Sequence, residues 1–331
     1  MKNLVFSPSP HLHTSRTTSG AMRHVIIALI PAIACSLYYF GLPALSVLLV
    51  SIASCVVVEW AVTRFLLRRP STVLDGSAAL TGILLALNLP SNLPLWMVIF
   101  GAVIAIGIAK MAFGGLGCNI FNPALVGRVF LLISFPVAMT SWPLPDPGFG
   151  DADGATGATI LSITKLAEAV ETSTGASTPA MAAPVLPDNV DMLLGNMGGS
   201  MGETGALAII LGFIYLVAFG IIKWDIPVAV VLGLVGVDLL AGYPVLTDVM
   251  SGGLLLGAVF MATDYVTSPM TRRGMWLYGL LIGIIAASIR RWGAYPEGVS
   301  FAILIMNGAT PLINRYIRPR RFSPARKEVF A

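Results

Sequence analysis

Val25–Phe40 reads VIIALIPAIACSLYYF, and after Gly41 the run Leu42–Val62 reads LPALSVLLVSIASCVVVEWAV. Between residues 25 and 62 the only charged side chain is Glu59. Each run approaches the roughly 20 apolar residues that a helix needs to cross about 30 Å of hydrocarbon. Eight further apolar runs follow, near Ser77–Leu89, Leu95–Phe113, Asn122–Ser141, Thr204–Ile222, Ile226–Tyr243, Val249–Val266, Met275–Ile289 and Val299–Ile313. The third ends in Asn88-Leu89-Pro90 and is short for a full crossing. The pattern predicts an all-α polytopic membrane protein with about ten transmembrane helices.

Composition agrees: 56% of residues are hydrophobic and 11% charged, less than half the charge usual in soluble domains. The net charge of +4 could suggest nucleic acid, but the basic residues are scattered at the ends of apolar runs rather than gathered on one polar face, so no nucleic-acid partner is expected. Placing the N-terminus in the cytoplasm puts 17 of the 20 Lys and Arg on inside ends and leaves Lys165, Arg290 and Arg291 outside. Both termini are then cytoplasmic, and the loop from Trp142 to Glu203 is extracytoplasmic. The expected organisation is a five-helix half over 1–141, the outer loop over 142–203, a second five-helix half over 204–314 and a basic tail over 315–331. Asp75-Gly76-Ser77 and Asp248-Val249-Met250-Ser251 are short echoes between the halves, as an internal repeat would give. Met1–Ser19 has no apolar core of a cleavable signal, so the first helix is expected to direct insertion. Cys35, Cys55 and Cys118 make neither a disulfide framework nor a metal motif, and no metal site or catalytic residue is expected.

The outer loop holds Asp153-Gly154-Ala155-Thr156-Gly157-Ala158-Thr159, followed by Ile160, Leu161, Leu166 and Val170 at near-helical spacing over about Ile160 to Glu171. Thr159 is then either the N-cap of that helix after a glycine turn, or a hydroxyl placed where a phosphate meets free N–H groups and the helix dipole. Downstream of the fourth run, Gly114–Arg128 reads GGLGCNIFNPALVGR, with Pro123 suited to a first helical turn and two asparagines at membrane depth. Helix capping and small-residue packing account for it as well as ligand binding does. Of the carboxylates and lysine in or near spans, Glu59, Lys110 and Asp248 read as interfacial anchors. Asp264 has Thr263, Thr267 and Ser268 beside it, a set of oxygens suited to a flavin contact or to hydrated Na⁺.

Asp-x-x-Thr-Gly-Ala-Thr resembles the flavinylation motif of the membrane subunits of the Rnf and Nqr respiratory complexes, the RnfD/NqrB family. Asn119-x-x-Asn122-Pro-Ala-Leu-x-Gly-Arg, Asp75-Gly76-Ser77-Ala78 with Thr81–Leu87, Phe260–Pro269 and Tyr295–Ala302 extend the likeness over nearly the whole chain. Tyr265 stands where the family pattern has proline, which bears on where that helix ends. Without the long N-terminal extension of the Nqr members, the chain looks like the RnfD side of the family. The resemblance implies a membrane electron carrier in a hetero-oligomeric Rnf complex, an ion-translocating ferredoxin:NAD⁺ oxidoreductase, with no complete catalytic activity of its own. It implies covalent FMN on Thr159, attached by a flavin transferase, with Asp153, Thr156, Gly157 and Ala158 shaping the site. It further implies a second, non-covalent flavin, riboflavin, near Asn119 and Asn122. A quinone-reducing Nqr-type protein is the near alternative, and a flavin-free secondary transporter the distant one.

Overall fold

The computed structural model describes residues 17–69, 72–145, 156–157, 159–165, 188–293, 295 and 297–318. Helix α1 (Thr18–Ala61) takes in both opening runs, with Thr17 capping the amide of Gly20. It is two arms rather than one rod, because Gly41 adopts φ 59° and ψ −143°. That backbone is open to glycine without steric penalty, and Pro43 two residues on prevents a continuous hydrogen-bond ladder. Ile27, Ile30, Leu42, Leu49 and Val57 along it are exposed, a face suited to lipid.

Helix α2 (Ser77–Leu87) has 11 residues, about 16 Å at 1.5 Å each, too short to cross a bilayer. Nearly all of it is buried. An interrupted helix is tolerated at membrane depth when protein surrounds it and its last carbonyls find partners. Here Gly202 N–H donates to the Leu87 carbonyl at 2.6 Å and Met201 N–H to that of Leu89 at 3.3 Å. Helix α3 (Leu95–Ala102) runs on as a π-type turn over Val103–Met111, and α4 (Pro123–Ser134) starts from Asn122, whose side chain accepts the Ala124 amide.

The later part holds α5 (Ala206–Ala218), α6 (Asp225–Ala241), α7 (Val245–Met250), a short α8 (Leu254–Leu256) widening into a π-type turn over Gly257–Met261, α9 (Arg272–Trp292) and α10 (Val299–Tyr316). Like α2, α8 opens on a left-handed glycine, Gly253 at φ 65° against Gly76 at φ 78°. The two broken helices end against each other, with the Asn88 amide 3.6 Å from the sulfur of Met261. Close α6–α9 packing comes from small residues: a Cβ on Gly283 would lie 2.2 Å from the Val230 carbonyl oxygen.

Several expectations are corrected. The run Val249–Val266 is not one helix, since the chain turns through Ser251, Gly252 and Gly253 before α8. The described end of the loop assigned to 142–203 packs against the bundle, with a six-residue helix at Asn189–Leu194 and Met192, Met197 and Met201 buried. Gly202 makes this possible, because any Cβ there would meet Leu87 Cβ at 2.8 Å. The all-α reading omits a two-residue antiparallel ladder, Trp142 facing Gly157 and Pro143 facing Thr156. Residues 160–165 are helical as expected; the continuation towards Glu171 lies outside the described residues, as do Asp153 and Ala158.

Candidate functional site

Two cavities lie at opposite ends of α4. The first takes in Asn119, Asn122 and Asp264, so the three residues singled out at this end are brought together although Asp264 is remote in sequence. Lys110, Ser77, Thr81 and Thr263 add polar atoms, and Leu80, Leu84, Leu216, Val259 and Phe260 supply apolar wall. Asn122 is partly committed: its carbonyl oxygen caps α4 and its amide donates to the Met261 carbonyl at 3.2 Å. Asn119 donates to the Phe121 carbonyl at 3.1 Å, and Asp264 accepts from the Thr267 hydroxyl at 3.2 Å.

Glu59 and Lys110 are not interfacial anchors. They form a buried ion pair at 2.5 Å, completed by Thr72 donating to Glu59 and by the ammonium donating to the Ser77 hydroxyl at 2.8 Å. Two buried charges persist only when paired and hydrogen-bonded, and both conditions are met. Sequence reading missed the pair because its members are 51 residues apart.

The second cavity, about 210 Å³, is lined by Thr159 and Ser162 together with Arg128, Glu297, Trp142, Tyr295, Leu132 and Met139. Thr159 is an N-cap: its hydroxyl oxygen accepts the Ser162 amide at 3.3 Å and its carbonyl accepts that of Ile163 at 2.9 Å. The hydroxyl also donates to the Ser162 hydroxyl at 3.1 Å. Only 1% of Thr159 is exposed. The ladder to Trp142–Pro143 holds the motif down, and Gly157 fits because a Cβ would stand 2.6 Å from Leu144.

Arg128 is the principal residue that sequence reading placed wrongly. Its place among the cytoplasmic charges is corrected: it is buried within α4, where it donates to Asn88 and Ser300 at 2.9 Å each and pairs with Glu297. The signal available was an arginine inside an apolar run. A polar chain thus crosses the apolar interior from Glu297 through Arg128 and Asn88 to Met261 and Asn122. Asp248 is likewise no anchor, being buried against Arg291. No cluster of three or more His, Cys, Asp or Glu suited to a metal occurs among the described residues.

The model of the NQR2, RnfD, RnfE family matches residues 5–323. The D subunit of the Na⁺-translocating ferredoxin:NAD⁺ oxidoreductase complex of Acetobacterium woodii is 44% identical over 96% of this chain and 95% of its own length. The D subunit of the proton-translocating ferredoxin:NAD⁺ oxidoreductase complex of Clostridium ljungdahlii is 42% identical, covering 98% of both. Its counterpart in the ion-translocating oxidoreductase complex of Stutzerimonas stutzeri is 43% identical over 91% of both.

Proposed function

The chain belongs to the NQR2, RnfD, RnfE family, and from that premise we propose that it is an electron-carrying subunit with FMN esterified to Thr159 and a second flavin, riboflavin, in the cavity of Asn119, Asn122 and Asp264. It is a membrane subunit of an Rnf-type complex, as its relatives' names indicate, and other subunits of that complex are its partners. The observation that carries the flavin reading is the placing of both candidate sites along one helix. From Asn122 to Leu132 is ten residues, about 15 Å at 1.5 Å per residue.

The residues suit the groups. Thr159 offers a hydroxyl at a helix start, where backbone N–H groups favour a phosphate by about 0.3 to 1 kcal/mol. Trp142 and Tyr295 can flank an aromatic ring, and Arg128 supplies positive charge to the same cavity. At the other end, two amides and a carboxylate suit the donors and acceptors of a flavin's pyrimidine edge. Bound flavin supplies one-electron redox steps; this chain's residues seat it, exclude water and hold charge beside it. The cavities, about 80 and 210 Å³, fall below the roughly 300 to 1,000 Å³ of ligand pockets, so occupancy requires side chains or the 156–165 segment to shift. A buried Thr159 also requires that the flavin transferase act while that segment is lifted.

In this reading the ten apolar segments form two halves, with α2 and α8 entering the bilayer without crossing it as single helices; both termini are cytoplasmic and the Thr159 cavity faces outward, so the two flavins provide a path across the membrane. Covalent attachment is tested by producing the full chain with a flavin transferase, running it denatured on a gel and looking for flavin fluorescence at its band. A fluorescent band whose tryptic peptide carries FMN on Thr159 is expected; a dark band, or the mass on Thr156 or Thr164, refutes the assignment.

A further inference from the structure

Three cavities meet at Tyr265. It lines the inner cavity of Asn119, Asn122 and Asp264, about 80 Å³, and two larger neighbours of about 470 and 390 Å³. Among the described residues no other is shared by all three. The larger neighbour reaches the start of α1, where Thr17, Gly20 and His24 line it, and it shares Ala21 and Met22 with the inner cavity. The other lies beside the turn between α5 and α6, where Lys223 lines it, and it shares Ile222 and Thr263.

Tyr265 can move without disturbing the site behind it. Its backbone is held, because its amide reaches the Asp264 carboxylate, as do the amide of Val266 and the side chain of Asn119. Its ring stands at the surface: 57% of the residue is exposed, and the hydroxyl at its far end donates to the carbonyl of Ile221. That carbonyl belongs to the turn after α5, which is pinned by Gly220 N–H donating to Val217 and Ile221 N–H donating to Leu216, at 3.0 and 2.9 Å. Rotation about Cα–Cβ exchanges the hydrogen bond to Ile221 for one to water, which changes the free energy little. Exposed side chains make such rotamer changes in picoseconds to nanoseconds. The consequence is one of size. Alone, the inner cavity is well below the roughly 300 Å³ at which ligand pockets begin, and joined to either neighbour it exceeds that.

We propose that Tyr265 is the door of the inner cavity, latched on the Ile221 carbonyl, and that a flavin enters past it from the side of α1 and the α5–α6 turn. The identity of the occupant rests on the flavin reading of this cavity. The door rests on the meeting of the three cavities and on the latch.

The test uses the full-length protein in detergent, with Cys35, Cys55 and Cys118 replaced by serine and Thr81→Cys added as a probe, since Thr81 is buried and lines the inner cavity alone. Its reaction with a small uncharged thiol reagent is timed. Tyr265→Phe, which lacks only the latching hydroxyl, should react at least threefold faster, and Tyr265→Ala, which lacks the door, at least tenfold faster. Thr140→Cys, in the Thr159 cavity, serves as control and should react at one rate in all three backgrounds. In protein loaded with riboflavin, release on dilution should quicken in the same order, since a bound flavin shields Thr81→Cys until it leaves. Equal rates at Thr81→Cys in the three backgrounds, an equal acceleration at Thr140→Cys, or flavin release unchanged in Tyr265→Ala overturns the proposal. Failure of the wild type to hold riboflavin would instead refute the flavin reading, and the thiol rates would still decide the door.

Discussion

Thr159 has two duties that substitution can separate, capping a helix and bearing a hydroxyl. Thr159→Ala removes both, and loss of an N-cap alone destabilises by about 1 kcal/mol. Thr159→Asn retains a capping oxygen but no esterifiable hydroxyl. The expected outcome is a dark gel band for both variants, with a lowered thermal midpoint for Thr159→Ala only, while Thr156→Ser stays fluorescent. A fluorescent Thr159→Asn band would remove Thr159 as the attachment point. At this scale the sequence is most legible where a motif is local. Thr159 as a helix start and Asn122 as the cap before Pro123 follow from short spacing, and the structure has both. Arg128 and Glu297 are 169 residues apart, and nothing local tells an arginine bound for a buried partner from one bound for a lipid headgroup.

The broken helices are where hydropathy gives the right number of residues and the wrong shape. Val249–Val266 is apolar enough for a span, but Gly252 and Gly253 hold φ of 68° and 65°, so the chain turns there instead. The turn leaves polar ends inside the bundle, and buried charges follow them. Ser77 at the start of α2 touches Lys110, and Gly252 before α8 touches Glu203. Lys110→Met leaves Glu59 buried without its counter-charge and should destabilise by about 3 to 5 kcal/mol, read as a fall in thermal midpoint in detergent. Glu59→Gln combined with Lys110→Met should recover most of it, since the lost energy is mainly that of the orphaned charge. A double variant as unstable as the single would mean that the pair acts through shape and not charge. At the same end of the molecule, replacing Asn119 and Asn122 together by leucine should remove flavin extractable with acid or organic solvent while the covalent signal remains. Retention of one extractable equivalent would leave these asparagines as structural caps.

For the whole molecule, two relatives at 44% and 42% identity bear names that specify Na⁺ and protons respectively, so overall likeness does not select the ion. Orientation is the global property on which a transmembrane electron path depends, and it rests on the distribution of positive charge. Lys110 and Arg128 leave that distribution, because both are consumed in buried pairs and face no headgroup. Arg290 and Arg291 leave it too, on the other side. Arg64, Arg68, Arg69, Lys223, Arg272, Arg273, Arg315 and Arg318, assigned to inside ends from the sequence, are untouched by these buried pairs. The orientation is read most directly in a chain whose three cysteines, one of them the exposed Cys118, are first replaced by serine. In that background Ser173→Cys should react with an impermeant thiol reagent added to intact spheroplasts, and Ser323→Cys should react only after the membrane is opened. The reverse pattern would place the Thr159 cavity on the cytoplasmic side and the Asn119 cavity outside. The two sites would still be joined by α4, but electrons passing between them in a given direction would cross the membrane the opposite way.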